Sequence, residues 1–387
     1  MQLKTFQISK IKKGTRVLMR VDCDVPLKNR IVDDASAWRL EQTLEDIIEL
    51  RKRGAIIILL GHLGRPNGQV KLSLSLKPIA RWYEKRLGVK VEFVRDPTCD
   101  SAFDKMKYLE SESVLMIENL RFWKGEENNS TKFAKQLARF GDLYINNAFG
   151  VSHRKHASVH AITKLLPSYA GSILVNEVKR LSDARKHPFV FVLGGVKLET
   201  KIPTLMNLGK DADTILVGGA VAIAMISIDQ KKILYVDENK LSRKDLSLAK
   251  LALKKFKSKI ILPVDYICCR DKKIKIIQAS NLETSDSIID IGPSTNRLFS
   301  SSIKSAKCVV FNGAMGLLEK NSQEGTIAIA KAVNTKQQSI VGGGDTVGFL
   351  QSKKLLNNFE FVSTGGGAVL TFLAGERMPG VEVLKIK

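Results

Sequence analysis

The stretches Ser339-Ile340-Val341-Gly342-Gly343-Gly344-Asp345-Thr346 and Phe361-Val362-Ser363-Thr364-Gly365-Gly366-Gly367-Ala368 decide the reading of this chain. Each joins a short apolar run, suited to one buried strand, to a helix-like segment through three consecutive glycines. Glycine at such a turn lets the backbone approach a ligand closely and aim its N–H groups at it. The positive end of the following helix dipole adds to this, so each turn reads as an anion site, usually for phosphate. Two such turns imply more than one phosphate to hold.

Outward from these turns, the same alternation covers the whole chain. Apolar runs at 17–21, 56–60, 89–94, 114–117 and 143–145 mark strands in the first half. Runs at 189–193, 214–217, 259–262, 287–291, 308–311, 339–341 and 361–363 mark strands in the second. Helical periods lie between them, such as Leu40, Leu44, Ile47 and Ile48, ending at Gly54 as a C-cap. This pattern predicts α/β architecture with mostly parallel sheets. A length of 387 residues exceeds one ordinary core, so two domains are expected. A charged helical stretch at 173–186, ended by His187-Pro188, is the natural boundary.

The hydrophobic share of 44% and mean hydropathy of −0.05 describe a soluble globular chain rather than a disordered one. The longest apolar stretch, 215–226, is too short to span a bilayer and contains two glycines. Met1-Gln2-Leu3-Lys4-Thr5 lacks an apolar signal core, which reads as cytoplasmic. Five cysteines without C-x-x-C spacing read as reduced and metal-free. The net charge of +23 admits nucleic-acid binding. Its basic residues are spread out, with no arginine-rich tail or aromatic-flanked basic block. A lysine-rich surface with a cleft for polyanionic ligands accounts for it better.

Ligands of open α/β sheets bind beyond the carboxyl ends of the strands, and the first half places its basic residues there. Asp22 and Asp24 follow the first run, with Arg39 near the next helix start. Gly61-His62-Leu63-Gly64-Arg65-Pro66 follows the second, Glu118-Asn119-Leu120-Arg121-Phe122 the fourth, and a segment with His153, Arg154 and His156 the fifth. Any one arginine fits a surface ion pair. Four of them with three histidines suit a small, multiply anionic substrate, because guanidinium forks match carboxylate and phosphate. The second half offers Gly194-Gly195-Val196-Lys197-Leu198-Glu199-Thr200-Lys201, two lysines that would share a helix face behind a glycine pair. Gly218-Gly219-Ala220 would admit an adenine ring or simply pack. Asp345 is a Mg²⁺ ligand beside nucleotide phosphates or an N-cap. Walker-type and protein-kinase signatures are absent.

In sequence order, His62-Leu63-Gly64-Arg65-Pro66, Glu118-Asn119-Leu120-Arg121-Phe122, Asn312-Gly313-Ala314-Met315-Gly316, Gly342-Gly343-Gly344-Asp345-Thr346 and Ser363-Thr364-Gly365-Gly366-Gly367 closely resemble the phosphoglycerate kinase family, over about residues 16–381. The resemblance implies two Rossmann-like three-layer αβα lobes with parallel sheets. Their expected extents are residues 1–171 with 376–387 for phosphoglycerate, a connecting helix at 172–186, and 187–375 for nucleotide. It implies reversible phosphoryl transfer between 1,3-bisphosphoglycerate and MgADP by a monomeric enzyme, in line and after hinge closure. Nucleic acid would be at most a nonspecific partner, and no membrane is implied. Asp22, Cys23, Asp24, Arg39, His62, Leu63, Gly64, Arg65, Arg121 and Arg154 would bind the phosphoglycerate. Gly194, Gly195, Lys197, Lys201, Gly218, Gly219, Gly292, Asn312, Glu319, Gly343, Gly344, Asp345 and Thr346 would bind the nucleotide, with Asp345 also holding the metal. Arg39, Lys197, Lys201, Gly366 and Gly367 would act on the transferring group. The chain departs from the family in having Asp24 for Asn, Asn147 for Asp, Ala314 for Pro and Val369 for Ser. Gly218-Gly219-Ala220-Val221-Ala222 lacks the usual third glycine and methionine, and the segment from Asp22 to Arg39 is slightly long.

Overall fold

Strands packed between helices on both faces must be apolar throughout, and Ile56–Leu60 and Phe189–Leu193 are buried at every position. The computed structural model describes residues 1–386 except 35–36, 184–185, 233, 237–238, 319–321 and 335; at 235–236 and 239–240 it describes the backbone. Glu319, expected at the ribose, lies outside the described residues. By internal contacts the chain forms two compact units, Met1–Lys179 with Arg377–Lys387, and Arg180–Glu376.

Unit 1 runs β1 (Arg16–Arg20), β2 (Leu27–Lys28), β3 (Ile31–Val32), α1 (Trp38–Lys52), β4 (Ile56–Leu60), α2 (Lys77–Leu87) and β5 (Val91–Val94). It continues through α3 (Ser101–Met106), β6 (Val114–Ile117), α4 (Lys124–Glu127), α5 (Thr131–Ala138), β7 (Leu143–Asn146) and β8 (Ser168–Ala170) into α6 (Ser172–Asp183). Its main sheet has the order β5-β6-β4-β1-β7-β8, all parallel. Alternate residues feed opposite cores. Val17, Met19, Ile57 and Leu59 enter one, while Leu18, Ile56, Ile58 and Leu60 enter the other. Each such buried side chain contributes about 2 kcal/mol relative to exposure. The C-terminal residues join this unit, with the amides of Lys4 and Gly380 donating to the carbonyls of Leu384 (2.7 Å) and Ser152 (2.9 Å).

Unit 2 runs β9 (Phe189–Leu193), α7 (Leu198–Leu208), β10 (Thr214–Val217), α8 (Gly219–Asp229), β11 (Tyr235–Val236), β12 (Asn239–Lys240) and α9 (Arg243–Phe256). Then come β13 (Ile260–Ile261), β14 (Asp265–Arg270), β15 (Lys273–Gln278), β16 (Ser287–Ile291), α10 (Pro293–Ser305) and β17 (Cys308–Asn312). It closes with α11 (Glu324–Ala332), β18 (Gln338–Gly342), α12 (Gly344–Ser352), β19 (Phe361–Val362) and α13 (Gly367–Leu373); α14 (Pro379–Glu382) belongs to unit 1. The parallel sheet has the order β13-β10-β9-β17-β18-β19.

A second, mixed sheet, β12-β11-β16-β14-β15, adds to the parallel layers that the sequence pattern implies. Its β14–β15 hairpin lies outside the strands that the sequence pattern marks: β14 carries a short apolar run, Tyr266 to Cys269, but β15 is solvated and alternates lysines with isoleucines. Its turn takes φ +53° and +61° at Asp271 and Lys272, the left-handed pair of a two-residue hairpin. The β2–β3 hairpin turns likewise at Asn29 and Arg30, and it occupies the long segment before Arg39. Among the described residues, no helix is long and apolar enough to cross a membrane.

Candidate active site

In unit 1 the parallel sheet aims the turns after β1, β4, β6 and β7 in one direction, and hydrogen bonds lock them together. The Asp24 carboxylate accepts from the Gly64 amide (2.9 Å), and Arg39 donates from Nη1 to the Asp24 carbonyl (2.9 Å). An Asn side chain could accept the same Gly64 bond, so Asp24 keeps this contact. Arg121 Nη1 donates to the Gly64 carbonyl (2.8 Å). Asn119 Nδ2 donates to the carbonyls of Leu63 and Leu74, both at 2.8 Å, while Glu118 accepts from the amides of Leu76 (2.7 Å) and Asn119 (2.8 Å). Glu118 and Asn119 therefore clamp the loop. Cys23 and Leu63 turn their side chains into the core, which leaves their backbones for any ligand. Burial raises the Cys23 thiol to about 12.

The arrangement crowds several cations together, with few carboxylates close by. Arg121 is buried, its Nε has no hydrogen-bond partner, and Glu127 Oε1 stands 3.7 Å away. Burial, then Arg20 and Arg154, lower its pKa to about 10. Burial and nearby arginines also depress His153 to about 4 and His156 to about 3, and the Nδ1 of each is buried without a partner. Although His156 Nδ1 lies 3.8 Å from Glu126 Oε1, a neutral ring makes no ion pair there. Arg65 is exposed and Arg154 half-buried on the same set of turns. A bound anion would relieve this repulsion and meet the orphaned donors.

Asn147 sits behind the turns. Its Nδ2 donates to Asp46 Oδ2 (2.6 Å), and its Oδ1 accepts from the Ile173 amide at the start of α6 (2.9 Å).

In unit 2 glycines do most of the building. Gly195 (φ +93°) donates its amide to the Ala314 carbonyl (2.7 Å), and Gly313 (φ +94°) packs so closely that a Cβ would lie 2.1 Å from the Gly194 oxygen. A Cβ at Gly218 would lie 2.6 Å from Met315 Sδ. Gly194, Gly195, Gly218 and Gly219 therefore let two strand-end turns touch the Asn312–Gly316 turn. Gly343 (φ +102°) caps α12 and Gly366 (φ +51°) caps α13. Asp345 is exposed in the first turn of α12, so the N-cap role falls to Gly343. Thr346 is buried behind it. Val369 packs beneath Gly342, 3.0 Å from where a Cβ would stand.

The two lysines do not share a helix face. Lys197 is the exposed N-cap of α7, whereas Lys201 is buried and donates from Nζ to Asn312 Oδ1. Burial lowers Lys201 to about 8, opposed by Asp345. Gly292 caps α10, tight against Asp265, which accepts from the amides of Ser294 (2.9 Å) and Thr295 (2.7 Å). A narrow, largely apolar pocket is lined by Gly219, Ala220, Ile223, Ile289, Met315 and Leu317, among others. Asp290 also lines it, its carboxyl raised to about 7 by burial. Sequence reasoning passed over Asp290 and the buried Arg20, Glu126 and Ser158; the signal for the first two was a charge inside an apolar strand or helix face.

Two α/β units with parallel sheets, one with buried arginines behind its strand-end turns and the other with glycine-built turns at strand ends, fit a two-unit α/β phosphotransferase. The sequence profile of phosphoglycerate kinase matches residues 8–376. The chain is 39% identical to the phosphoglycerate kinase of Thermosipho africanus over 95% of its own length and 94% of the relative's, and 37% identical to that of Finegoldia magna over 96% of each. It is similar to the solved phosphoglycerate kinase structures from Coxiella burnetii (TM-score 0.83, 32% identity) and Pyrococcus horikoshii (TM-score 0.85, 26% identity), covering 98% of every chain. The chain belongs to the phosphoglycerate kinase family.

Proposed function

We propose that this enzyme reversibly transfers a phosphoryl group from 1,3-bisphosphoglycerate to ADP, giving 3-phosphoglycerate and ATP. The observation that carries the substrate assignment is the buried cation cluster around Arg121, with its unpartnered Nε and histidine nitrogens. His62, Arg65, Arg121 and Arg154 would hold the distal phosphate, Asp22 and Asp24 the hydroxyl end, and Arg39 the reacting carboxyl group. The acceptor in the reverse direction is a carboxylate, ionised at neutral pH, so no general base is needed. What remains is to gather anions and stabilise charge on the group in flight. Lys197, Lys201 and the Gly366 and Gly367 amides are assigned to that charge. Gly343, Gly344 and Thr346 would cradle the nucleotide phosphates, and the pocket beside Gly219 would take the base.

Mg²⁺ commonly binds through one or two carboxylates plus substrate phosphates. An exposed Asp345 beside the Gly343–Gly344 turn fits that donor set. When bound, the ion would offset phosphate charge during transfer. We assign the enzyme to the cytoplasm as a monomer, with nucleic acid attracted only through net charge.

A coupled assay for ADP formed from ATP and 3-phosphoglycerate tests the reading. Arg39→Ala is expected to lower kcat about 100-fold while the nucleotide Kd stays unchanged. An unchanged kcat would remove Arg39 from the reaction, and no ADP at all would leave a nucleotide sensor as the better description. Filter binding of RNA with a steep salt slope and no sequence preference is expected; salt-resistant, selective binding would contradict the nucleic-acid assignment.

A further inference from the structure

Arg20, the last residue of β1, is fully buried, yet it is not a ligand-facing group. Its Nε donates to Ser158 Oγ (3.1 Å), its Nη1 to the Val21 carbonyl (2.5 Å), and its Nη2 stands 2.9 Å from His62 Nδ1. Ser158 Oγ in turn donates to Glu126 Oε1 (2.6 Å), and the Ser158 amide donates to Glu126 Oε2 (2.9 Å). Both oxygens of Glu126 thus accept, as an ionised carboxylate does. Burial raises the Glu126 carboxyl above its usual pKa, and Arg20, acting through the serine, is the main charge that opposes this and favours the ionised form. The segment is pinned further by Tyr144, whose hydroxyl donates to the Ser158 carbonyl (2.6 Å).

We propose that Glu126, Ser158 and Arg20 form a hydrogen-bond relay, with Arg20 donating both to Ser158 and to His62, that holds His62 as its neutral Nε2–H tautomer. His62 would then meet the distal phosphate as an uncharged donor. A guanidinium has donors and no acceptor and stays protonated in proteins. His62 Nδ1 must therefore accept, which leaves the ring proton on Nε2. Nε2 has no partner among the described residues, so this N–H is available to a ligand. A second proton on Nδ1 would confront the Arg20 N–H directly. The charged and titratable groups around the ring add to this, since Arg20 comes from β1, Arg121 from the turn after β6, and Arg154 and His156 from the segment after β7. Burial and these cations hold the His62 pKa well below its usual value. Glu126 and Ser158 are positioning residues, since they act on substrate through Arg20 and His62. The donor role rests on the assignment of His62 to the phosphoglycerate site; the tautomer does not.

The test is ¹⁵N NMR of the full chain with labelled histidine. The expected spectrum shows His62 Nδ1 unprotonated and Nε2 protonated, unchanged from about pH 5 to about pH 8. An Nδ1–H tautomer, or a ring that takes up a second proton in that range, would overturn the relay. The wild-type spectrum decides this even if relay variants fail to fold. For the donor role, His62→Ala is expected to raise KM for 3-phosphoglycerate about 10-fold, while His62→Gln, a neutral group that can accept from Arg20 and donate outward, stays within about threefold of wild type. Equal losses in the two variants would overturn the neutral-donor role. An unchanged KM in His62→Ala, with the expected tautomer, would defeat the site assignment and leave the relay standing. Ser158→Ala is expected to mix the tautomers and raise KM several-fold with little change in kcat. A pure Nε2–H spectrum in that variant would remove Ser158 and Glu126 from the relay.

Discussion

Unit 1 gathers polar side chains, the guanidinium groups of Arg20, Arg121 and Arg154 with the neutral rings of His62 and His156, at strand ends and turns clamped by Asn119 and Glu118. Unit 2 gathers backbone, through Gly195, Gly313, Gly343 and Gly366 at positive φ, with Lys201 as a buried cation beside Asn312. Side chains can be crowded at a site only if other groups hold them against their mutual repulsion, so unit 1 carries a buried hydrogen-bonded scaffold behind its cations. Backbone amides repel little and need only close approach, so unit 2 spends its sequence on residues without a Cβ. The difference teaches that mutation should uncouple stability from activity differently in the two units.

The largest expected effect is at Gly313. Gly313→Ala would force a Cβ into the Gly194 carbonyl at positive φ, and unit 2 should lose several kcal/mol of stability, read by denaturant unfolding. By contrast, a Cβ at Gly367 meets nothing within 4 Å and its φ is ordinary. Gly367→Ala is therefore expected to leave unfolding within about 0.5 kcal/mol of wild type while kcat falls, if that turn serves the ligand. Equal stability losses at the two positions would break the distinction between structural and ligand-facing glycines.

Next is Arg121→Met, which removes charge but keeps bulk. KM for 3-phosphoglycerate should rise at least about 10-fold with nucleotide affinity unchanged, and stability should change little, because relief of repulsion from Arg20 and Arg154 offsets the lost contacts with Gly64 and Glu127. A large stability loss with normal KM would recast Arg121 as structural.

A smaller effect is the alkaline limb of nucleotide binding. Lys201 titrates at about 8 in the folded chain, below its usual 10.5, so affinity should weaken as pH rises past about 8 and the ammonium is lost. The sign for stability is opposite. The unfolded chain binds more protons there, so this group's contribution rises with pH between about 8 and about 10.5. Lys201→Met should flatten both trends in titrations of ADP binding and of unfolding.

The smallest effect belongs to His153 and His156, whose folded pKa values of about 4 and about 3 lie below the usual 6.5. Their stabilising contribution is complete above 6.5 and is lost as pH falls toward the folded values. Acid unfolding of unit 1 should therefore begin below about pH 6.5 and become less steep in His156→Gln, measured by tryptophan fluorescence.

The glycine turns were legible because glycine at a strand end has few other uses, and the arginines because each follows a strand in sequence. The β14–β15 hairpin was not, since the apolar run of β14 is short and β15 is solvated. Nor were the different environments of Lys197 and Lys201, which a one-residue shift of the α7 start decides. Cys23 and Leu63 lie within site motifs, yet their side chains face the core.

The sequence by itself determined the alternation of strand and helix, the positions of both glycine turns, and the family, since each depends on local spacing of residue types. Only the tertiary structure decided which charges lack partners and which are held. Arg20 meets Ser158 across 138 residues and His62 across 42, and no local pattern encodes that encounter. Protonation states and buried repulsion are properties of such encounters, because they depend on desolvation and on neighbours brought together by the fold.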